Sequence, residues 1–135
     1  MNGPMMKRIT PAALALAATF SVCAVESDFD GSKRLICAPV QVMDCTAGTE
    51  CHHGLPDEFG APAFLRIDVA GKRIIGPKVE SEILQIDRTD QQLALTGKEL
   101  GFIWTIAINS ETGAMTTSMT NRFGAFVMYG NCTPL

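Results

Sequence analysis

The chain has only two histidines, His52 and His53, adjacent and directly after Cys51, so any mechanism that needs an imidazole is confined to one loop. Asp57 and Glu58 follow within reach, and imidazole with carboxylate suits a divalent transition metal. Spacing of this kind is weakly specific, and a solvent-exposed polar loop pinned by a disulfide explains the same residues. No metal and no other cofactor is expected. Cys45 and Cys51-His52 imitate covalent haem attachment, but that motif needs two residues between its cysteines and five lie here. Asp28-Phe29-Asp30-Gly31 imitates the middle of a calcium loop; with Gly31 in its glycine position, Cys37 falls where a bidentate glutamate belongs. There is no Gly-x-Ser-x-Gly elbow to support serine hydrolysis. Glu80 and Glu82 share one face of an extended segment, a spacing open to acid and base work on a sugar, yet no substrate-binding aromatics accompany them. No residue is assigned a catalytic role, and a non-enzymatic protein is expected.

The remaining constellation is apolar. It joins Phe102, Trp104 and Phe126 with the methionines Met43, Met115, Met119 and Met128, all on extended segments. Methionine adapts to varied shapes and aromatics give contact area, so these side chains could line a pocket for a small apolar ligand. The same residues could equally fill a core. Alternation identifies an inward face without saying whether the inside is hollow.

The elements that position these residues begin after an export leader. Lys7 and Arg8 give a positive start, Ala12 to Val22 is apolar or small, and Val22-Cys23-Ala24 offers a small-residue cleavage pattern, so residues 1–24 read as a signal peptide. Cys23 is the one candidate for lipid attachment, but Val22 stands where such a signal carries Gly, Ala or Ser. The reading therefore favours a periplasmic or secreted protein over a lipid-anchored one. Of the 11 basic and 14 acidic residues, the leader removes Lys7 and Arg8, leaving a formal charge of 9 − 14 = −5 on residues 25–135. An acidic domain is a poor binder of nucleic acid. No second apolar run is long enough for a transmembrane helix.

Cys37, Cys45, Cys51 and Cys132 remain, an even number in an exported chain, which suits two disulfides in one of three pairings. Cys45 and Cys51 bracket a turn-like stretch, while Cys37 begins the first extended arm and Cys132 follows the last. This favours Cys45 with Cys51 and Cys37 with Cys132.

From Leu35 onward, short runs with apolar residues at every second position end in Gly, Asn, Asp or Ser. Leu65, Ile67 and Val69 share a face; Leu84, Ile86 and Arg88 alternate with Ile83, Gln85 and Asp87; Leu93 and Leu95 continue the apolar side. Phe102, Trp104, Ile106 and Ile108 form the clearest stripe, followed by Met115, Thr117 and Met119. Only a short helical turn is expected, within Leu55 to Gly60. Counting Leu35 to Asp44 as the first arm gives about eight strands in an antiparallel meander, one all-β domain over residues 25–135. Rolling the sheet so that the last strand meets the first removes both edges and places Cys37 beside Cys132. A β-sandwich is the alternative.

Phe29-Asp30-Gly31-Ser32, Leu35-Ile36-Cys37-Ala38, the spaced Cys45 and Cys51, Phe64-Leu65-Arg66-Ile67-Asp68 and Gly130-Asn131-Cys132-Thr133 together resemble a group of small exported proteobacterial proteins of unknown function. The resemblance spans most of residues 25–135 and implies an envelope or periplasmic location. The likeness to lipocalins is weaker, because the nearest match to their Gly-x-Trp is Gly101-Phe102-Ile103-Trp104, late in the chain. The likeness to small bacterial lysozyme inhibitors stops at size, export and cysteines. Two functions follow as expectations for a monomeric protein. One is a barrel holding a small apolar ligand or, if filled, acting as a scaffold. The other is a module that binds or inhibits an envelope protein through the disulfide-braced loop 45–59, with His52, His53, Asp57 and Glu58 at its surface.

Overall fold

A computed structural model describes Gly3 and residues 26–135. The leader read over residues 1–24, Cys23 included, lies outside the described residues apart from Gly3. Nine strands follow one another: β1 (Leu35–Thr46), β2 (His52–Gly54), β3 (Leu65–Asp68), β4 (Arg73–Ile75), β5 (Glu80–Arg88), β6 (Gln92–Glu99), β7 (Phe102–Asn109), β8 (Ala114–Thr120) and β9 (Gly124–Pro134). Among the described residues a single 3₁₀ turn, Pro56–Phe59, sits inside the Leu55 to Gly60 stretch.

Strands β3 to β9 pair antiparallel in sequence order, and β1 pairs with both β3 and β9, which closes an eight-stranded barrel and sets the sandwich aside. One edge of β1 runs against β9 along its whole length, from Leu35 opposite Pro134 to Thr46 opposite Gly124. The other edge is shared: Leu35 to Cys37 pair with β3, and Val42 to Asp44 pair with the short β2. Closure pairs every strand of the circuit with two neighbours, although short β4 covers only Glu80 to Glu82 of β5. Cys37 and Cys132 are direct cross-strand partners on the closing pair, with Cα atoms 4.0 Å apart, and are bonded. Cys45 and Cys51 are bonded across the β1–β2 turn. Two disulfides suggest an oxidising, extracytoplasmic compartment.

Period-two patterning sets the inside. Trp104, Ile106 and Ile108 are buried on β7, Met115 and Thr117 on β8, Leu93 and Leu95 on β6, and Ile67 on β3, while their neighbours Ile103 and Thr116 face outward. One departure occurs on β5. A bulge between Ile83 and Gln85 inserts an extra residue, so Ile83 is buried, Leu84 is 52% exposed, and Ile86 returns to pack against the core.

The two ends of the barrel differ. At the end bearing the β5–β6 and β7–β8 turns, the interior is packed solid by Leu35, Ile67, Val69, Leu93, Ile108 and Met115. The segment ahead of β1 covers that end. Phe29 lies over Gly113, where an added Cβ would meet its ring at 2.5 Å; Ser27 Oγ donates to the Ser110 carbonyl, and Arg88 Nε donates to the Asp30 carbonyl at 2.8 Å. The Asp28-Phe29-Asp30-Gly31 motif is therefore a plug. Asp28 pairs with Lys33, and the Ser32 hydroxyl, followed by the Ser32 backbone N–H, holds the Asp30 carboxyl below its ordinary value.

Candidate functional site

At the opposite end a pocket, open to solvent at its mouth, enters the barrel above core residues that include Ile74, Trp104 and Ile106. A cavity of about 530 Å³ opens between the segment Gly60–Ala63 and the β4–β5 loop Gly76–Val79. Its cause is strand length. β3 has four residues and β4 three, against eight in β7 and twelve in β1, so the wall on that side stops short and two loops take its place. The first loop, Gly60-Ala61-Pro62-Ala63, and the start of the second, Gly76-Pro77, carry small side chains, while Lys78 and Val79 stand exposed at the rim; both loops are tied by backbone hydrogen bonds. Ala61 N–H donates to the Pro56 carbonyl at 2.9 Å, and Gly76 N–H to the Val79 carbonyl at 2.8 Å.

Trp104 forms the upper wall of the cavity. Its indole N–H donates to Ser81 Oγ at 2.8 Å, and that hydroxyl donates to the Lys98 carbonyl at 3.2 Å, so the ring's one polar atom is satisfied inside an apolar setting. Gly97, opposite Trp104 in the β6–β7 register, supplies the room: a Cβ there would stand 2.5 Å from Trp104 Cε2 and 2.5 Å from the Glu82 carbonyl oxygen. Met119 pairs with Trp104 across β7 and β8. One layer deeper, Ile106, Thr117 and Met128 are neighbours across β7, β8 and β9 and make the floor above the packed half. Asp57, Lys78 and Glu99 stand among the lining residues as its charged members.

Of the apolar residues singled out from the sequence, Trp104, Met119 and Met128 line the cavity. Phe102 and Phe126 pack edge to face with each other, ring centroids 5.9 Å apart, and Met115 belongs to the packed half; none of these three is in the lining. Patterning missed the importance of Ser81, a small polar residue between two glutamates, and of the glycine and proline loops. The available signal was polarity on an inward phase, which Thr117 shows within Met115-x-Thr117-x-Met119.

The histidine loop does something else. His52 and His53 are exposed on β2, and Glu58 Oε2 accepts from the Leu55 backbone N–H at 3.0 Å, closing the 3₁₀ turn. Val40, Gln41, His53, Gly54, Leu55 and Glu58 border a shallow depression, while Asp57 points the same loop toward the cavity. Among the described residues, no three His, Cys, Asp or Glu side chains come together as a metal site, and no helix is long and apolar enough to cross a membrane. Glu80 and Glu82 are exposed on the outer wall, Glu80 in an ion pair with Arg73 at 3.3 Å. No protein-family model, curated protein or solved structure matches the chain.

Proposed function

We propose that this protein is an exported, monomeric, non-enzymatic barrel that holds one small apolar molecule in the cavity beneath Trp104. The observation that carries this reading is the cavity. Protein interiors are packed nearly as densely as organic crystals, and voids larger than a water molecule are few. A space of about 530 Å³ is instead the size of a small-molecule site, typically roughly 300–1,000 Å³. Its walls combine an indole, two thioethers and aliphatic side chains with few polar groups, the chemistry of a site that takes apolar surface out of water. Disulfides clamp the sheet that frames it, and the leader and the resemblance to small exported proteobacterial proteins support action in the periplasm or outside the cell.

Trp104 is the only tryptophan, so intrinsic fluorescence reports on the cavity directly. Titration with the apolar dye N-phenyl-1-naphthylamine is expected to be saturable, one to one, and to quench Trp104. Ala61→Phe, which adds bulk at the opening, is expected to weaken it severalfold. Uptake that never saturates, or that leaves Trp104 emission unmoved, counts against the reading. The alternative, a partner-binding surface on loop 45–59, has one observation in its favour: Leu55 is 58% and Val40 54% exposed beside His53. Replacing His52 and His53 with alanine should then reduce capture of a partner from envelope extract, and unchanged capture removes that reading.

A further inference from the structure

Thr117 is 3% exposed, lies at the cavity floor, and carries the only buried side-chain polar atom among the described residues without a hydrogen-bond partner. Every other buried polar group in the neighbourhood is spoken for. The indole N–H of Trp104 goes to Ser81, and the Ser81 hydroxyl goes to the Lys98 carbonyl. A buried hydroxyl left unpaired is costly, and one on the wall of a hollow is the natural anchor for a group brought in from outside.

Resting on the apolar-ligand reading above, we infer that the occupant is an amphipathic molecule bearing a single uncharged polar group, a hydroxyl or carbonyl, which enters first and pairs with Thr117 Oγ1. Three features narrow the class. The floor around Thr117 is formed by Ile106 and Met128, its cross-strand neighbours, so an ionised head buried there would lose its hydration without a counter-charge. One hydroxyl offers one donor and a pair of acceptor sites, which suits one polar group and leaves a polyhydroxylated sugar unsatisfied. The other layers, Trp104 with Met119 and then the proline loops, are apolar and match a hydrocarbon body above the head. Asp57, Lys78 and Glu99 disfavour a tail that emerges past them, so the molecule is short enough to be enclosed. The Thr117 oxygen is itself covered, so pairing with the ligand requires a χ1 step that exchanges it with the methyl group.

The test compares 1-decanol with undecane, equal in heavy-atom count, by Trp104 fluorescence and native mass spectrometry on the wild type, Thr117→Val and Thr117→Ser. The wild type and Thr117→Ser are expected to prefer the alcohol by roughly three- to tenfold, once the differing water solubilities are taken into account. Thr117→Val, the same shape without the hydroxyl, is expected to lose that preference while binding undecane as the wild type does. Equal binding of both probes by the wild type, or a preference that survives in Thr117→Val, overturns the inference and leaves the apolar site standing. Failure of both probes to bind any variant overturns the apolar-ligand reading with it.

Discussion

Replacing Gly97 with alanine isolates the contact on which the cavity's upper wall depends. Gly97 lies inside β6 and has no left-handed backbone angle, so alanine is conformationally acceptable there and, by reducing unfolded-state entropy, would stabilise a tolerant site by about 0.4–1 kcal/mol. The added methyl meets two obstacles. It would stand 2.5 Å from Trp104 Cε2, closer still to Cζ2, and 2.5 Å from the backbone oxygen of Glu82, which cannot swing away as a side chain can. Overpacking of this kind costs about 1–3 kcal/mol. If the indole tilts to escape, its N–H leaves Ser81, and a buried donor without a partner costs about 1–3 kcal/mol more. The clash therefore outweighs the entropic gain, and a net loss of about 1–5 kcal/mol is expected.

Urea unfolding followed by circular dichroism measures this loss, and Trp104 emission reports separately whether the ring has moved. In a Trp104→Leu background the indole obstacle is gone while the Glu82 obstacle stays, so Gly97→Ala should cost less there, by about 1 kcal/mol or more. A shift under about 0.5 kcal/mol in the wild-type background, with unchanged emission, would falsify the assignment of Gly97 as the space in which the indole lies. So would strict additivity of the two substitutions, because groups in contact are expected to couple.

The two disulfides should differ in worth. Cys37 and Cys132 are 95 residues apart and Cys45 and Cys51 only six, so the chain-entropy model gives about 4.7 kcal/mol for the first and about 2.4 for the second. Paired serine replacements compared by urea midpoint should rank in that order, and an equal or reversed ranking shows that something other than loop closure decides. Acid should weaken the β3–β4 turn. The Gly71 backbone N–H at 2.9 Å, aided by the guanidinium groups of Arg34 and Arg73, holds the Asp68 carboxyl below its ordinary value of 3.8. A carboxyl depressed on folding contributes stability above its ordinary value and loses it as pH falls through the folded one, so the loss should begin near pH 4 and continue below. Asp68→Asn should flatten the slope of urea midpoint against pH in that window, and an identical slope in the variant removes Asp68 from the account.

The closed meander was legible because period-two patterning is local and strong. Phe102 to Ile108 alternates without a break, and each run ends in a turn formed by its own residues. The pairing of Cys37 with Cys132 followed once the first and last strands were neighbours. The β5 bulge was not legible: strict alternation puts Ile83 and Ile86 on opposite faces, and only the extra residue opposite Gly97 and Thr96 brings both to the core. Depth was not legible either. Met115 and Met119 lie on one face of β8, yet the first is in the packed half and the second lines the hollow. That difference depends on where β3 and β4 end on the far side of the barrel, which no property of β8 encodes.

Strand length also explains why the hollow persists. At about 3.3 Å per residue, eight-residue β7 rises roughly 26 Å while four-residue β3 rises roughly 13 Å, so one side of the barrel is about half the height of the other. A collapse that filled the gap would need either large side chains on the covering loops or loops free to sink inward. Gly60-Ala61-Pro62-Ala63 and Gly76-Pro77 provide no such side chains, Lys78 and Val79 stay exposed at the rim, and Pro62 and Pro77 fix their own backbone angles. The hydrogen bonds from Ala61 to Pro56 and from Gly76 to Val79 hold the loops in place, while Ser81 and Gly97 hold Trp104 against the wall and out of the space. At the other end, equally short turns are sealed by Phe29 and by leucine, isoleucine and methionine side chains that fill the interior. One closed sheet thus has a sealed end and an end with a pocket because side-chain volume is supplied at one and withheld at the other.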